Sequence, residues 1–326
     1  MNGRARGFGG WLRRGAGAVV LLGLAGVSLG GAEGASAPAG DRWVEGAPGY
    51  PQGWMQPVTN GFESLRCEGV AGKLKVSWAD SGLPTNASVV LWHSLDAPGH
   101  WAARAWRATP LTRRTGTWDV TVPVPHLEVP LVYFLAVAVP AQATNISPMR
   151  VCHPGEAGLE EIARPFWPFL EGFEEGWDNW RWHGSVPAGH ALAAHTNAYN
   201  GYAALRVALP PGRRSVTVAT TVVRGWHLDL FQARGLGLYA RTPAGRATLR
   251  WAFITDYGTP NQMVFAVPAA QAVEGRWAKV ETLFDVIPEE HRGKLDLVTL
   301  EIQADGPQEV WLDNLHLLGR WRLDLE

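Results

Sequence analysis

The chain of 326 residues is 46% hydrophobic and 18% charged, enough for two buried cores and too apolar for a disordered chain. Its 29 basic and 30 acidic residues nearly cancel, and no basic run lies beyond the first few residues, which argues against a nucleic-acid partner. The unusual counts are 17 Trp and 38 Gly: large flat rings that suit either a sandwich core or a stacking surface, joined by turn formers.

The first segment reads as an export signal. Arg4, Arg6, Arg13 and Arg14 precede an apolar run from Ala16 to Leu29, and Ala35-Ser36-Ala37 before Pro38 supplies small residues for cleavage. The run is short and glycine-rich against the roughly 20 apolar residues a span needs, so no membrane span is expected in the mature chain. Residues 1–37 are therefore assigned to a signal peptide, with an exported destination: periplasm, cell surface or medium. Arg13-Arg14 alone does not make a twin-arginine motif, and no Cys marks the cleavage point as a lipoprotein would require. Residues 38–61 read as a loose Pro/Gly linker.

From 62 to 154 short strands follow one another. Leu74, Val76 and Trp78 alternate with Lys73, Lys75 and Ser77, the pattern of a half-buried antiparallel strand. Further strands are predicted at Ser88 to His93, Trp101 to Arg107, Thr117 to Val122, Leu131 to Val139 and Met149 to Cys152. Turns such as Asp80-Ser81-Gly82 and Arg114-Thr115-Gly116 separate them. The two cysteines, Cys67 and Cys152, bracket this segment. In an exported chain they predict a disulfide worth about 4 kcal/mol in the chain-entropy model; the alternative is two buried thiols.

Pro165 and Pro168 stiffen a second linker, placed at 155–165. From 166 to 326 strands resume: Ala203 to Leu209, Ser215 to Val223, Gly235 to Arg241, Arg246 to Thr255, Gln262 to Val267, Trp277 to Phe284, Leu297 to Ala304 and Val310 to Leu318. The fold class expected is all-β, two tandem antiparallel β-sandwiches. In the closing strand a period of two puts Trp311, Asp313, Leu315 and Leu317 on one face, so Asp313 would need a partner against a packed interior.

Three resemblances add to this reading. The strand spacing of 62–154, with Trp78 and Val132-Tyr133-Phe134-Leu135, resembles immunoglobulin and fibronectin type III layouts, although Cys67 and Cys152 do not stand where antibody domains place their disulfide. Trp101, Trp106 and Trp118 near Gly116 look somewhat like the exposed Trp pair of starch-binding modules. In the second half, Phe173-Glu174-Glu175-Gly176-Trp177, Asn200-Gly201-Tyr202-Ala203-Ala204-Leu205 and Val310-Trp311-Leu312-Asp313-Asn314-Leu315 resemble jelly-roll, galactose-binding-like carbohydrate-binding modules. That resemblance implies a two-sheet jelly roll with a structural calcium held by Glu174, Asp313 and oxygens near Asn197 and Asn200.

Candidate sugar contacts are loop-adjacent aromatics and a planar amide: Trp182, Trp226, Tyr257 and Gln262. On the strand Arg246 to Thr255, the set Leu249, Trp251 and Phe253 is more apolar than Arg250, Ala252 and Ile254, which assigns Trp251 to the core. Catalytic signatures are missing: no GxSxG elbow, no closely spaced acid pair on a strand, and no metalloenzyme spacing among His183, His190 and His195. Enzyme activity is left open on this ground, because a site distributed over distant strands has no local signature. The leading expectation is a secreted, non-catalytic protein that binds a polysaccharide. The alternatives are a protein-interaction or envelope-structural role, and an accessory subunit of a polysaccharide-degrading system.

Overall fold

Alternation of apolar and polar residues builds the first sandwich. Its strands are β1 (Asp41–Trp43), β2 (Arg66–Val70), β3 (Lys73–Ala79), β4 (Ser88–Leu95), β5 (Arg107–Pro110), β6 (Thr112–Arg114), β7 (Thr117–Val122), β8 (Leu131–Ala138), β9 (Asn145–Ile146) and β10 (Arg150–Cys152). The computed structural model describes residues 41–43, 61–80, 82–98, 103–163, 168–174, 179–184, 191–209, 215–304 and 308–319. The export signal, most of 38–61, Trp101, Glu175-Gly176-Trp177 and His190 lie outside the described residues.

One sheet runs β2-β3-β7-β6 and the other β1-β10-β8-β4-β5, with β9 on β8. Relabelled A to G, these are an ABED sheet facing a GFC sheet extended by one strand at each edge, β1 and β5, the immunoglobulin-type layout. Leu74, Val76 and Trp78 of β3 meet Leu91, Tyr133 and Leu135 of the facing sheet in one core. The indole nitrogens of the two core tryptophans are satisfied: Trp78 donates to the Gly61 carbonyl at 2.9 Å and Trp118 to Asp80 Oδ2 at 2.5 Å.

Three expectations change here. Asp41–Trp43, read as linker, pairs with Arg150–Cys152 as an added edge strand. The second linker also belongs partly to this sandwich: Ala157 and Leu159 enter its core, Gly69 donates to the Ala157 carbonyl, and Ala163 donates to the Gly72 carbonyl. Gly72 sits at φ +75° with the Ala163 backbone where a Cβ would be, so only glycine fits that approach. Third, Cys67 and Cys152 are not joined by a disulfide; both are buried as thiols in the shared core. They stand on the first and last strands of the layout, where burial among Leu and Val side chains suits them as small hydrophobes.

The second sandwich comprises β11 (Phe169–Glu171), β12 (Trp180–Trp182), β13 (Ala191–His195), β14 (Ala204–Leu209), β15 (Ser215–Thr220), β16 (Gly235–Arg241), β17 (Arg246–Thr255), β18 (Met263–Ala266), β19 (Gln271–Glu274), β20 (Ala278–Leu283), β21 (Leu295–Ala304) and β22 (Gln308–Leu318). Its sheets run β13-β14-β22-β16-β20, with β11 on β22, and β12-β15-β21-β17-β18, with β19 on β17. Leu205 and Val207 of one sheet pack on Val218, Trp251, Phe253 and Leu300 of the other. Two short helices, α1 (Gly225–Asp229) and α2 (Glu289–Arg292), sit in the connections.

The closing strand departs from simple alternation. Val310 and Leu312 face the core, and so do Leu315 and Leu317, because Asn314 adopts φ 55° and the register with β16 shifts between Gly237 and Tyr239. This bulge inserts one residue. It turns Trp311 and Asp313 outward, correcting the expectation that they share a face with Leu315 and Leu317.

The two sandwiches belong to one compact unit, Ala37–Glu326. Arg224, 5% exposed, crosses between them. It donates through Nε to Asp96 Oδ2 at 2.6 Å and through Nη1 to the carbonyls of Ala103 and Asp296 at 2.9 and 3.1 Å.

Candidate functional site

The outer face of the β12-β15-β21-β17-β18 sheet is assembled by register. Because Val216, Val218, Leu249, Trp251, Leu300 and Ile302 point into the core, their neighbours point out. Arg181, Ala219, Thr299, Ala252 and Ala266 are consecutive partners across all five strands, a band of small side chains with an exposed arginine at one end. Beside it run Thr217, Glu301 and Arg250, then Ser215, Gln303 and Thr248. Gln303 donates to Glu301 Oε1 at 3.0 Å.

An aromatic ring closes one end of the band. Ala219, Ile254 and Leu297 form a small buried cluster on this outer face, and Tyr257 packs against it. Its ring centroid lies 6.1 Å from that of His183 and 5.8 Å from the Arg181 guanidinium carbon. Burial, and then the charge of Arg181, holds the His183 imidazole below its usual pKa, so it presents a neutral ring at pH 7. The loop that carries Tyr257 is fixed locally: its amide N–H donates to the Asp296 carboxylate at 3.0 Å, and Gly258 donates to Gln262 Oε1 at 2.9 Å.

Such a face combines an aromatic plane, a band of small residues in which Ala219 and Thr299 are buried between larger neighbours, and side chains that donate or accept in pairs. Arginine supplies a fork of donors, glutamate paired acceptors, and glutamine and threonine both roles. That set matches a flat, hydroxyl-bearing ligand.

The four residues singled out from sequence do not converge. Tyr257 and Gln262 share the loop just described, but Gln262 uses its carbonyl to hold the turn. Trp182 packs against the core of the second sandwich from the inner side of β12. Trp226 lies on α1 at the junction of the sandwiches, stacked on His227 with centroids 3.6 Å apart. The starch-type pair is not formed by the two described members: Trp106 meets Phe134 edge-on at 5.2 Å, and Trp118 is 6% exposed in the first core. Arg181, Thr217, Glu301, Gln303 and Arg250 were missed. Their shared signal was outward parity on strands whose inward sets were already evident.

The resemblance-derived metal residues are brought together in part. Asp313 Oδ2 accepts from the amides of Tyr199 and Asn200 at 2.7 and 3.0 Å, and Oδ1 accepts from that of Asn314 at 2.6 Å. Glu174 Oε1 accepts from the Tyr202 amide at 2.9 Å, while its buried Oε2 finds no hydrogen-bond partner. Burial pushes the Asp313 carboxyl up to about 6 against those three amide bonds, with the Glu174 charge adding to the rise. Gly201, at φ +74°, leaves space that a Cβ would take from the Glu174 carboxylate. Asn200 reaches the pair through its N–H, and Asn197 donates instead to His195 Nδ1 at 3.0 Å. Among the described residues no group of three or more His, Cys, Asp or Glu assembles. Of the ligand set the resemblance implies, the two carboxylates lie close enough to repel, and one of them keeps an unpartnered oxygen.

No family model and no curated protein matches the chain. Among solved structures it is similar to a family 11 carbohydrate-binding module from Clostridium thermocellum, in complex with a β-1,3-1,4-mixed-linked tetrasaccharide (13% identity, TM-score 0.36, covering 48% of this chain and 97% of that one). It is similar to the CBM22-1 xylan-binding domain of a Paenibacillus barcinonensis protein (16% identity, TM-score 0.34, 47% and 96%). A third is a family 28 module specific for non-crystalline cellulose (14% identity, TM-score 0.35, 48% and 95%). The fold assignment rests on the sheets described above rather than on these scores.

Proposed function

We propose that the chain is an exported, non-catalytic glycan-binding protein whose second sandwich takes a polysaccharide on the outer face of the β12-β15-β21-β17-β18 sheet. The observation that carries this reading is the band Arg181, Ala219, Thr299, Ala252 and Ala266, capped by Tyr257 and flanked by Glu301, Arg250 and Gln303. Tyr257 stacks on a pyranose face, while Arg250, Glu301 and Gln303 bond its hydroxyls in pairs. Calcium at Glu174 and Asp313 is the structural cation of this proposal. It neutralises the buried acids and so fixes the Tyr199 to Tyr202 loop, with no part in ligand chemistry. The carbohydrate-binding modules named above support the ligand class only by analogy. Among the described residues no helix is long and apolar enough to cross a membrane.

Native gels containing soluble β-glucan, xylan or galactan test the proposal. At least one polysaccharide is expected to retard the full chain. Arg250→Ala should weaken retardation about tenfold, the effect of losing a charged hydrogen bond. Unretarded migration in every gel would sink the reading.

A further inference from the structure

Where the sandwiches meet, a cavity of about 300 Å3 opens between the ends of β4 and β7 on one side and β11 and α1 on the other. It adjoins a second hollow of about 620 Å3 that shares His93, Arg107 and Asn179 with it. The wall of the first hollow is largely apolar, with Leu95, Val124, Phe169, Leu170 and Trp226, whereas that of the second mixes Trp92 and Trp106 with polar surface. None of these residues belongs to the outer face described above.

Two residues that line this cavity each carry a buried ring nitrogen without a protein partner: His93 Nδ1 and Trp226 Nε1. His93 is 7% exposed, and its other nitrogen is engaged with Thr109 Oγ1 at 3.1 Å. Buried polar atoms are nearly always paired in native proteins, so two orphans flanking one cavity call for a partner from outside the chain. The charge of the wall narrows its chemistry. Arg107 and Glu171 oppose each other in sign. Burial, and then Arg107, holds the His93 imidazole down at about 4, and burial holds that of His227 at about 3, so both are neutral at pH 7. An anion would gain one cation and face one acid. Both walls are held in place by Arg224, which spans the junction a few residues from Trp226.

We propose that the cleft between the sandwiches is a second binding site, for a neutral, hydroxyl-rich small ligand such as a monosaccharide or the end of a glycan chain. An apolar cavity at a domain junction with a few convergent polar groups is the usual form of such sites. A small rotation of either side chain turns its nitrogen to the cavity, where a ligand hydroxyl accepts from Trp226 Nε1 and another pairs with His93 Nδ1.

Titration calorimetry of the full chain with glucose, xylose, galactose and their β-1,4-linked disaccharides tests it. At least one sugar is expected to bind. Ala105→Trp, which fills the cavity without removing a polar group, should abolish that binding. Trp226→Phe, which keeps an aromatic ring and removes the N–H, should weaken it about tenfold. Arg250→Ala, on the outer face, is titrated alongside to assign the bound sugar: binding lost in it but kept in both cleft variants belongs to the outer face. Should Ala105→Trp fail to fold, Trp226→Phe decides. The cleft site is overturned if no sugar binds the wild type, if both cleft variants melt and bind as the wild type does, or if only Arg250→Ala loses binding. The polysaccharide gels report on the outer face separately, so either site can fail alone.

Discussion

Two acids, Asp80 just after β3 in the first sandwich and Asp313 beside the bulge of β22 in the second, have opposite fates. Burial raises the pKa of each, but at Asp80 the amides of Leu83 and Gly82, the Trp118 indole and the Arg113 guanidinium outweigh it, and the carboxyl titrates below its ordinary value. At Asp313 burial outweighs three amides, the Glu174 charge adds a smaller rise, and the carboxyl goes up to about 6. One corner is complete within the chain; the other carries a charge deficit. The difference marks Asp80 as a device of the fold and makes the Glu174–Asp313 pair the place where the proposed calcium can be tested.

Substitution at the two corners should separate them. Asp80→Asn strands the Trp118 N–H and the Arg113 charge and is expected to cost about 3 kcal/mol with or without calcium, measured by denaturant unfolding. Calcium at about a hundredfold excess over its dissociation constant should stabilise the wild type by about 2.7 kcal/mol, lost on chelation. Asp313→Asn should abolish that response yet stay within about 1 kcal/mol of wild type in chelator, since the metal-free corner already favours a neutral group. A wild-type melting midpoint indifferent to both calcium and chelator would erase the contrast.

A smaller effect is expected from Gly201→Ala, about 1 to 3 kcal/mol through its positive φ and the crowding of Glu174, with the calcium response weakened alongside. The smallest concerns the junction. His93 and His227 are held neutral in the folded state, so protonation favours unfolding. Their contribution is complete above the ordinary value of 6.5 and is lost as pH falls toward about 4 and about 3. The melting midpoint should drop by about 5 °C between pH 7 and pH 5, and by less in His93→Gln.

Much of the fold was legible from residue order. In β3, Lys-Leu-Lys-Val-Ser-Trp announces its own inward face, and Trp251 went to the core as its alternation required. Asp313 was misjudged because a bulge leaves no mark in a two-residue period; only the left-handed Asn314 and the slipped pairing with β16 reveal it. The disulfide followed from counting cysteines, whereas the fold buries both thiols side by side with the aliphatic core. The candidate site was harder still. Arg181 and Arg250 come from strands about seventy residues apart, and only the pairing of five strands makes them neighbours of one band. Aromatic residues drew attention in the sequence because they are conspicuous, yet Trp182 serves packing.

The most direct measurement of the central claim is calorimetric titration of the full chain with the polysaccharide that retards it most, against Ala252→Trp, which blocks the middle of the outer band. Loss of binding in the variant, with an unchanged melting midpoint, is the predicted result. Binding within twofold of the wild type would contradict the placement of the glycan on this face.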